Sequence, residues 1–271
     1  MTAVPTRRER QRQATFDEIV DVARRLLRDG EDVSIRAVAQ AMGLTPPALY
    51  RYVDSHADLL MLVARSIFED VVAAMTVARD EQEPDDPAAQ IVAASAAFRA
   101  WALRHRTEFQ MVFASSASIE MDEAVRAQGP PQITSLADCL PYDSGVHIFA
   151  SFFSEIFGQL WVKYQFVIPA DDDLDPALLE ILRSEIKSAE VTDGLGTPSP
   201  GMVWMFERAW ARLYGTVSLE VFGHVHPGMI STGALFTATL LDIGADLNIT
   251  DEWPRLQAVV RAEAERPPAQ S

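Results

Sequence analysis

Apolar residues in this chain recur every three or four positions far more often than every second one, a pattern that predicts helices throughout. Phe16, Ile19, Val20, Ala23, Leu26 and Leu27 share one helical face. Gly30 is a natural stop after them, because glycine accepts the left-handed backbone of a C-terminal cap. Ser34 can cap a second helix with Ile35, Val38, Ala39 and Met42 facing inward, and Gly43 breaks it after barely two turns. Thr45 suits the N-cap of a third, short helix with Pro46 at its first position and an end near Val53. Ser55 and Asp58 pair as caps for a fourth, which carries Leu59, Leu62, Val63, Ile67 and Val71.

After Arg79 the run DEQEPDDP reads as an exposed linker. Helical periods resume at about 88–114, 143–168, 176–190, 203–224 and 228–246, with the loop LGTPSPG among them. The expected fold is all-α: an N-terminal three-helix head over 15–66 behind a segment 1–14, a larger helical domain over 67–250, and a tail from 251 that frays beyond Glu263.

Charge changes the picture of the head. The 271 residues carry a net charge of −16, yet residues 1–65 hold 10 basic and 9 acidic side chains while the remainder carries −17. Arg7, Arg8, Arg10 and Arg12 face only Glu9, so 1–14 is a basic arm that can approach phosphates ahead of an acidic body. One cysteine, Cys139, excludes an internal disulfide framework and any multi-cysteine zinc site. The first residues lack a signal peptide's apolar run. The most apolar stretch, 146–168, is interrupted by Glu155, Gln159 and Lys163, a poor membrane span. A cytoplasmic protein without a membrane partner is expected.

Two short helices around Gly43, behind a longer one, have the layout of a helix-turn-helix. Leu44, Leu49 and Val53 can anchor the last helix, leaving Thr45, Ala48, Tyr50, Arg51 and Tyr52 wholly or partly exposed to enter a major groove. The run SIRAVAQAMGLTPPALYRYVDSHADLL resembles the DNA-binding head of the TetR/AcrR family of bacterial transcriptional repressors, with Ala39, Gly43, Leu49, Tyr50 and Leu59 in the family's spacing. The resemblance implies that Ser34 and Arg36 lie near phosphates or a base edge, and that Thr45, Pro46, Pro47, Ala48, Tyr50, Arg51 and Tyr52 face the groove. It also implies a homodimer on a pseudo-palindromic operator. Where the family usually has a phosphate-gripping lysine, this chain has His56, whose neutral ring is expected to donate a hydrogen bond without the fixed charge.

Such proteins continue into a domain that dimerises and holds a small effector. AWARLYGTVSLEVFG resembles the family's Trp-His-Gly type of C-terminal domain: Trp210, Gly215, Leu219 and Glu220 match, and Tyr214 replaces the histidine. Helices over 203–224 and 228–246 suit a four-helix dimer interface, the second being rich in small residues such as Gly233, Ala234, Ala238, Gly244 and Ala245. Aromatic residues are dense upstream. Trp101, Phe109, Phe113, Phe149, Phe153, Phe157, Trp161, Trp210 and Tyr214 are candidates to line an apolar pocket, with Gln110, Glu155 or His147 as polar contacts, though each could equally be core.

Rival chemistry comes from Asp171, Asp172 and Asp175, whose spacing could hold Mg²⁺ in an all-α enzyme. Their place just before Pro176 favours helix capping instead, and no second metal motif accompanies them. His224 and His226 lack a third ligand nearby, and no phosphate loop or nucleophile elbow occurs. No metal, cofactor or catalytic residue is expected. A DNA-binding protein that senses nothing is the remaining alternative.

Overall fold

The computed structural model describes residues 6–114, 145–187 and 199–267, and every regular element among them is helical. Cys139 and most of LGTPSPG lie outside the described residues, as does the side chain of His147. The chain divides into two compact units.

The first unit takes residues up to Phe68 and, from further along, 107–114. Helix α1, Arg7–Arg28, starts in a capping box: Glu9 N–H donates to Thr6 Oγ1 at 3.3 Å, and Thr6 N–H donates back to the Glu9 carboxylate at 2.6 Å. Those bonds hold the Glu9 carboxyl below its usual range. The basic segment expected as an arm is therefore the first two turns of α1. Gly30 (φ +75°) ends the helix-terminal turn and Gly43 (φ +68°) makes the next one, both in the left-handed region that side chains disfavour. Between them lies α2, Ile35–Ala41, where Ser34 Oγ accepts from Ala37 N–H at 3.2 Å. Helix α3, Pro46–Leu49, is one turn long and ends earlier than its pattern predicts, because Tyr50 already closes it. Helix α4, His56–Asp80, begins where Ser55 Oγ accepts from Asp58 N–H at 3.1 Å.

Ile19, Ala23, Val38, Ala39, Leu49, Leu59, Val63 and Ile67 are completely buried in this unit. Each Leu or Ile contributes about 2–3 kcal/mol by leaving water. Leu44, expected as an anchor, instead stands 37% exposed, since the bend at Gly43 turns it outward. Helix α6, Arg106–Phe109, and the π-helical turn Gln110–Ala114 complete the unit. Phe113 packs edge-on against Phe68 of α4 at 5.3 Å and lies 4.7 Å from Phe109.

The second unit is arranged around α5, Pro87–Arg104. Ala88, Ala89, Ala93, Ala94, Ala96, Ala97 and Ala102 leave this helix so thin that its sides are buried nearly all round. Its partners are α9, Pro200–Val221, and α12, Trp253–Ala264. Helices α7 (Gly145–Tyr164), α8 (Pro176–Lys187), α10 (Pro227–Thr232) and α11 (Ala234–Asp246) complete the described elements of the unit. Residues 253–264, expected as tail, thus form a packed helix. Its apolar signal is short, with Leu256 and Val260 buried and Trp253 and Val259 half-buried, and ion pairs of Arg255 add to its hold.

Two ion pairs fasten α5. Arg99 donates to Glu220 of α9 at 2.5 Å and to the Ile230 carbonyl at 2.6 Å, with its guanidinium over the Phe236 ring. Glu220 is fully buried, and that burial raises its carboxyl while Arg99 pulls it part of the way back. At the other end Asp86 caps α5 and receives both arms of Arg255 from α12, at 2.5 and 3.0 Å. Partial burial opposes the Asp86 charge, but the Arg255 fork and the Ala89 N–H outweigh it and hold the carboxyl below its ordinary range. No helix among the described residues is long and apolar enough to cross a membrane.

The two pairs should behave differently in urea denaturation. Arg99→Ala strands a buried carboxylate and should lower the unfolding free energy by about 3–5 kcal/mol. Asp86→Asn keeps the cap and loses only a pair whose arginine is 43% exposed, for about 1 kcal/mol after solvent screening. Because the Asp86 carboxyl is lowered on folding, its contribution is complete above about pH 4 and is lost as pH falls through the folded value, so the gap to Asp86→Asn should close there.

Candidate nucleic-acid interface and apolar cavity

Around α3 the chain presents a surface and hides an anchor. Leu49 is fully buried, while Thr45, Pro46, Pro47, Tyr50 and Arg51 are exposed and Ala48 is half-buried. One turn supplies both, since Leu49 faces α2 and the residues flanking it face away. On α2, Arg36 and Gln40 are exposed one turn apart, and Ser34 is half-buried with its hydroxyl capping the helix. Gln40 is not legible as a candidate in the sequence, because a lone polar residue on a helix face carries no distinguishing signal.

Other expected contacts are engaged within the unit. Tyr52 sets its ring edge-on to Phe16 of α1 at 5.6 Å, and the Arg12 guanidinium lies over the Phe16 ring, 5.5 Å from its centre. Arg7, Arg8, Arg10 and Arg12 are all solvent-exposed. His56, expected to donate to a phosphate, is engaged within the unit instead. Its Nε2 lies 2.7 Å from the Val33 carbonyl oxygen, and a carbonyl can only accept. The single N–H of a neutral ring is therefore used inside the protein, and His56 has none to offer a phosphate in that state.

The second unit contains an apolar cavity of about 50 Å³, several times the ~10–15 Å³ one water requires. Helix α5 contributes Ile91, Val92 and Ser95, α7 contributes Phe153 and Phe157, and α9 contributes Phe206, Ala209, Trp210 and Leu213. Leu240, Ile243, Gly244, Leu247 and Ile249 close the far side. Ser95 Oγ already donates to the Ile91 carbonyl at 2.7 Å, so the lining offers very little free polarity. Contents held here would be selected by shape and apolar area.

Of the twelve aromatic and polar candidates, three reach the cavity: Phe153, Phe157 and Trp210. Phe149 stands behind them, 5.2 Å from Trp210, and Tyr214 stacks on Trp210 at 5.4 Å. Trp101 instead donates to Asp70 at 3.2 Å and stacks on His105, and Trp161 is half-buried away from the lining. Phe109 and Phe113 belong to the first unit, and Gln110 and Glu155 are exposed. The small lining residues are not legible as such in the sequence, because nothing distinguishes an alanine facing a void from one facing a neighbour.

The aspartate cluster is engaged piecemeal. Asp175 accepts from Ala177 and Leu178 N–H at the start of α8, Asp173 accepts from Ala170 N–H, and Asp171 pairs with Arg183 at 2.7 Å. Among the described residues no group of three metal-ligating side chains occurs.

A head with an exposed one-turn third helix, followed by a helical unit enclosing an apolar cavity, can be compared with known proteins. The sequence profile of the tetracyclin repressor-like C-terminal domain matches residues 91–243, more than half of the chain. The chain belongs to the TetR family of transcriptional regulators. The HTH-type transcriptional regulators Rv1816 of Mycobacterium tuberculosis and Mb1846 of Mycobacterium bovis are each 26% identical to it over 225 residues, spanning 82% of this chain and 87% of theirs. The crystal structure of a regulatory protein, SCO4313, shares the fold with a TM-score of 0.54 at 21% identity, covering 88% of this chain and 98% of that one. In this TetR-family chain the Trp-His-Gly-like segment has visible work: Trp210 walls the cavity and Glu220 binds Arg99.

Thermal and urea unfolding can separate surface from scaffold. Tyr50→Ala and Arg51→Ala should stay within about 0.5 kcal/mol of the parent, as exposed substitutions do. Leu49→Ala, one residue away and fully buried, should lose about 2–5 kcal/mol.

Proposed function

We propose that this TetR-family protein is a repressor that binds a pseudo-palindromic operator as a homodimer and releases it when a small apolar molecule occupies the α5–α7–α9 cavity. The observation that carries the reading is the pairing of an exposed, one-turn third helix with an almost wholly apolar cavity in the other unit. Thr45, Pro46, Pro47, Ala48, Tyr50 and Arg51 meet base edges, while Ser34, Arg36 and the arginines of α1 meet phosphates. The acidic remainder of the chain suppresses non-specific contact by repelling phosphate.

Support for the dimer comes from the outer faces of α9 and α11, which pack on each other within the chain. Ala211 and Leu219 on α9 and Phe222 at its C-terminal cap are exposed, with Gly215 half-buried among them, and Ala234, Ala238 and Ala245 on α11 are exposed. Small residues beside Leu219 and Phe222 let a second copy's helices approach closely. Two recognition helices then lie about one DNA turn, ~34 Å, apart. A ligand that binds better to a different spacing shifts the population and releases DNA, with α4 as the continuous link from head to body. A cytoplasmic location follows from this reading.

Fluorescence anisotropy on the intergenic DNA beside the protein's own gene, with excess competitor, tests it. Tyr50→Ala and Arg51→Ala should each weaken saturable binding by about ten- to a hundredfold; unchanged binding would make α3 scaffold only. Neutralising Arg7, Arg8, Arg10 and Arg12 together should reduce the slope of log affinity against log salt by about 0.9 for each phosphate these arginines grip. His56→Lys, which supplies a charge and a free donor, should steepen that slope by about 0.9. A slope indifferent to all five changes would remove these residues from the phosphate contacts.

A further inference from the structure

The first unit contains a carboxylate with no exposure at all, Glu108. It lies in the sequence among TEFQMVF, after the long α5 period, where it reads as an incidental charge. In the fold it is bound by α1: Arg24 Nε donates to it at 2.7 Å, and Arg28 lies 3.6 Å away. The same Arg24 guanidinium donates through Nη1 to Ser66 Oγ of α4 at 3.2 Å. One side chain therefore ties together the first helix of the DNA-binding head, the helix leaving it, and α6.

Helix α6 is also the direct continuation of the helix that walls the cavity. Ile91, Val92 and Ser95 of α5 line the cavity; α5 ends at Arg104, and only His105, Arg106 and Thr107 intervene before Glu108. That short a connection leaves little slack to absorb a shift of α5. Behind Glu108, fully buried Phe109 and its neighbour Phe113 hold the segment against Phe68, in the π-helical turn Gln110–Ala114. Single π-helical turns of this kind are frequent at functional sites. The segment is thus gripped by the head while its backbone follows α5.

We propose that the Arg24–Glu108 contact is the latch through which occupancy of the cavity reaches the DNA-binding helices. This rests on the ligand-sensing reading of the cavity. The charge-assisted hydrogen bond from Arg24 Nε is directional, so a movement of α6 by about an ångström takes it out of hydrogen-bond geometry and weakens the hold of α1 on α6. Without Glu108 on its Nε, the Arg24 guanidinium also loses one of the contacts that orient its Nη1 toward Ser66 of α4. Glu108 and Arg24 act by positioning, without contact to DNA or ligand.

The test is a double-mutant cycle in DNA affinity that uses a cavity-filling substitution as the probe. Ala209→Leu places three further carbons in the cavity. It should weaken binding to the intergenic fragment by about tenfold in the parent chain, a typical coupling. In the Glu108→Gln background, which keeps the side-chain shape and loses the charge, the same substitution should change affinity less than about twofold if the route is broken. Arg24→Lys provides a second background that retains the charge but cannot hold Glu108 and Ser66 together, and circular dichroism confirms folding of each variant. Equal Ala209→Leu effects in all backgrounds would overturn the latch while leaving the sensing cavity intact. An Ala209→Leu chain that folds and binds DNA like the parent would overturn the cavity reading itself, and the latch with it.

Discussion

The second unit depends on the thinness of α5. An eighteen-residue helix buried on almost every side must bring little volume of its own, and its alanines meet that requirement. Because it is thin, α9 and α12 can pack close to it, and the few large or polar groups it does carry become decisive. Arg99 is one of them. A guanidinium in such surroundings needs a buried carboxylate and a carbonyl to compensate for lost water, and Glu220 with the end of α10 supplies both. Where α5 instead has Ile91, Val92 and Ser95, its neighbours do not close fully and the apolar cavity remains.

The first unit solves a different problem, that of holding a one-turn third helix in a fixed attitude. Four residues cannot be a stable helix alone. Leu49 and Val53 tie the turn inward, the left-handed Gly43 sets its angle, and Pro46 removes a donor that would otherwise be unsatisfied. The surface left over is small: Thr45, Pro46, Pro47, Tyr50 and Arg51 stand exposed around the buried Leu49. Burial of Glu108 in the same unit means that its core includes a segment following directly from α5.

Local features are legible in the sequence because their causes are local. Ser34, Ser55, Gly30 and Gly43 act on the next three or four residues, and each cap and turn forms where the pattern places it. Leu49 as anchor follows from helical period, whereas Leu44, assigned by the same period, stands exposed because the turn at Gly43 intervenes. Long-range features are less legible. Phe109 and Phe113 have the same spacing signal as Phe153 and Phe157, yet one pair packs in the head and the other faces a void, since the outcome depends on helices distant in the chain. Helix α12 leaves a faint signal because its apolar run is short and ion pairs of Arg255 help to fix it, and ion pairs with a partner at Asp86 leave no periodic trace. His56 differs again: its position is legible, but only the Val33 carbonyl reveals which nitrogen holds the proton.

The measurement that bears most directly on the whole account is a selection of bound sequences from randomised duplex DNA by the full-length chain. Two symmetry-related third helices should enrich an inverted repeat whose half-site centres lie about 10 base pairs apart or at a multiple of that spacing. Recovery of a single unsymmetrical motif would contradict the dimeric arrangement. Failure to enrich any sequence over the starting pool would contradict sequence reading by α3.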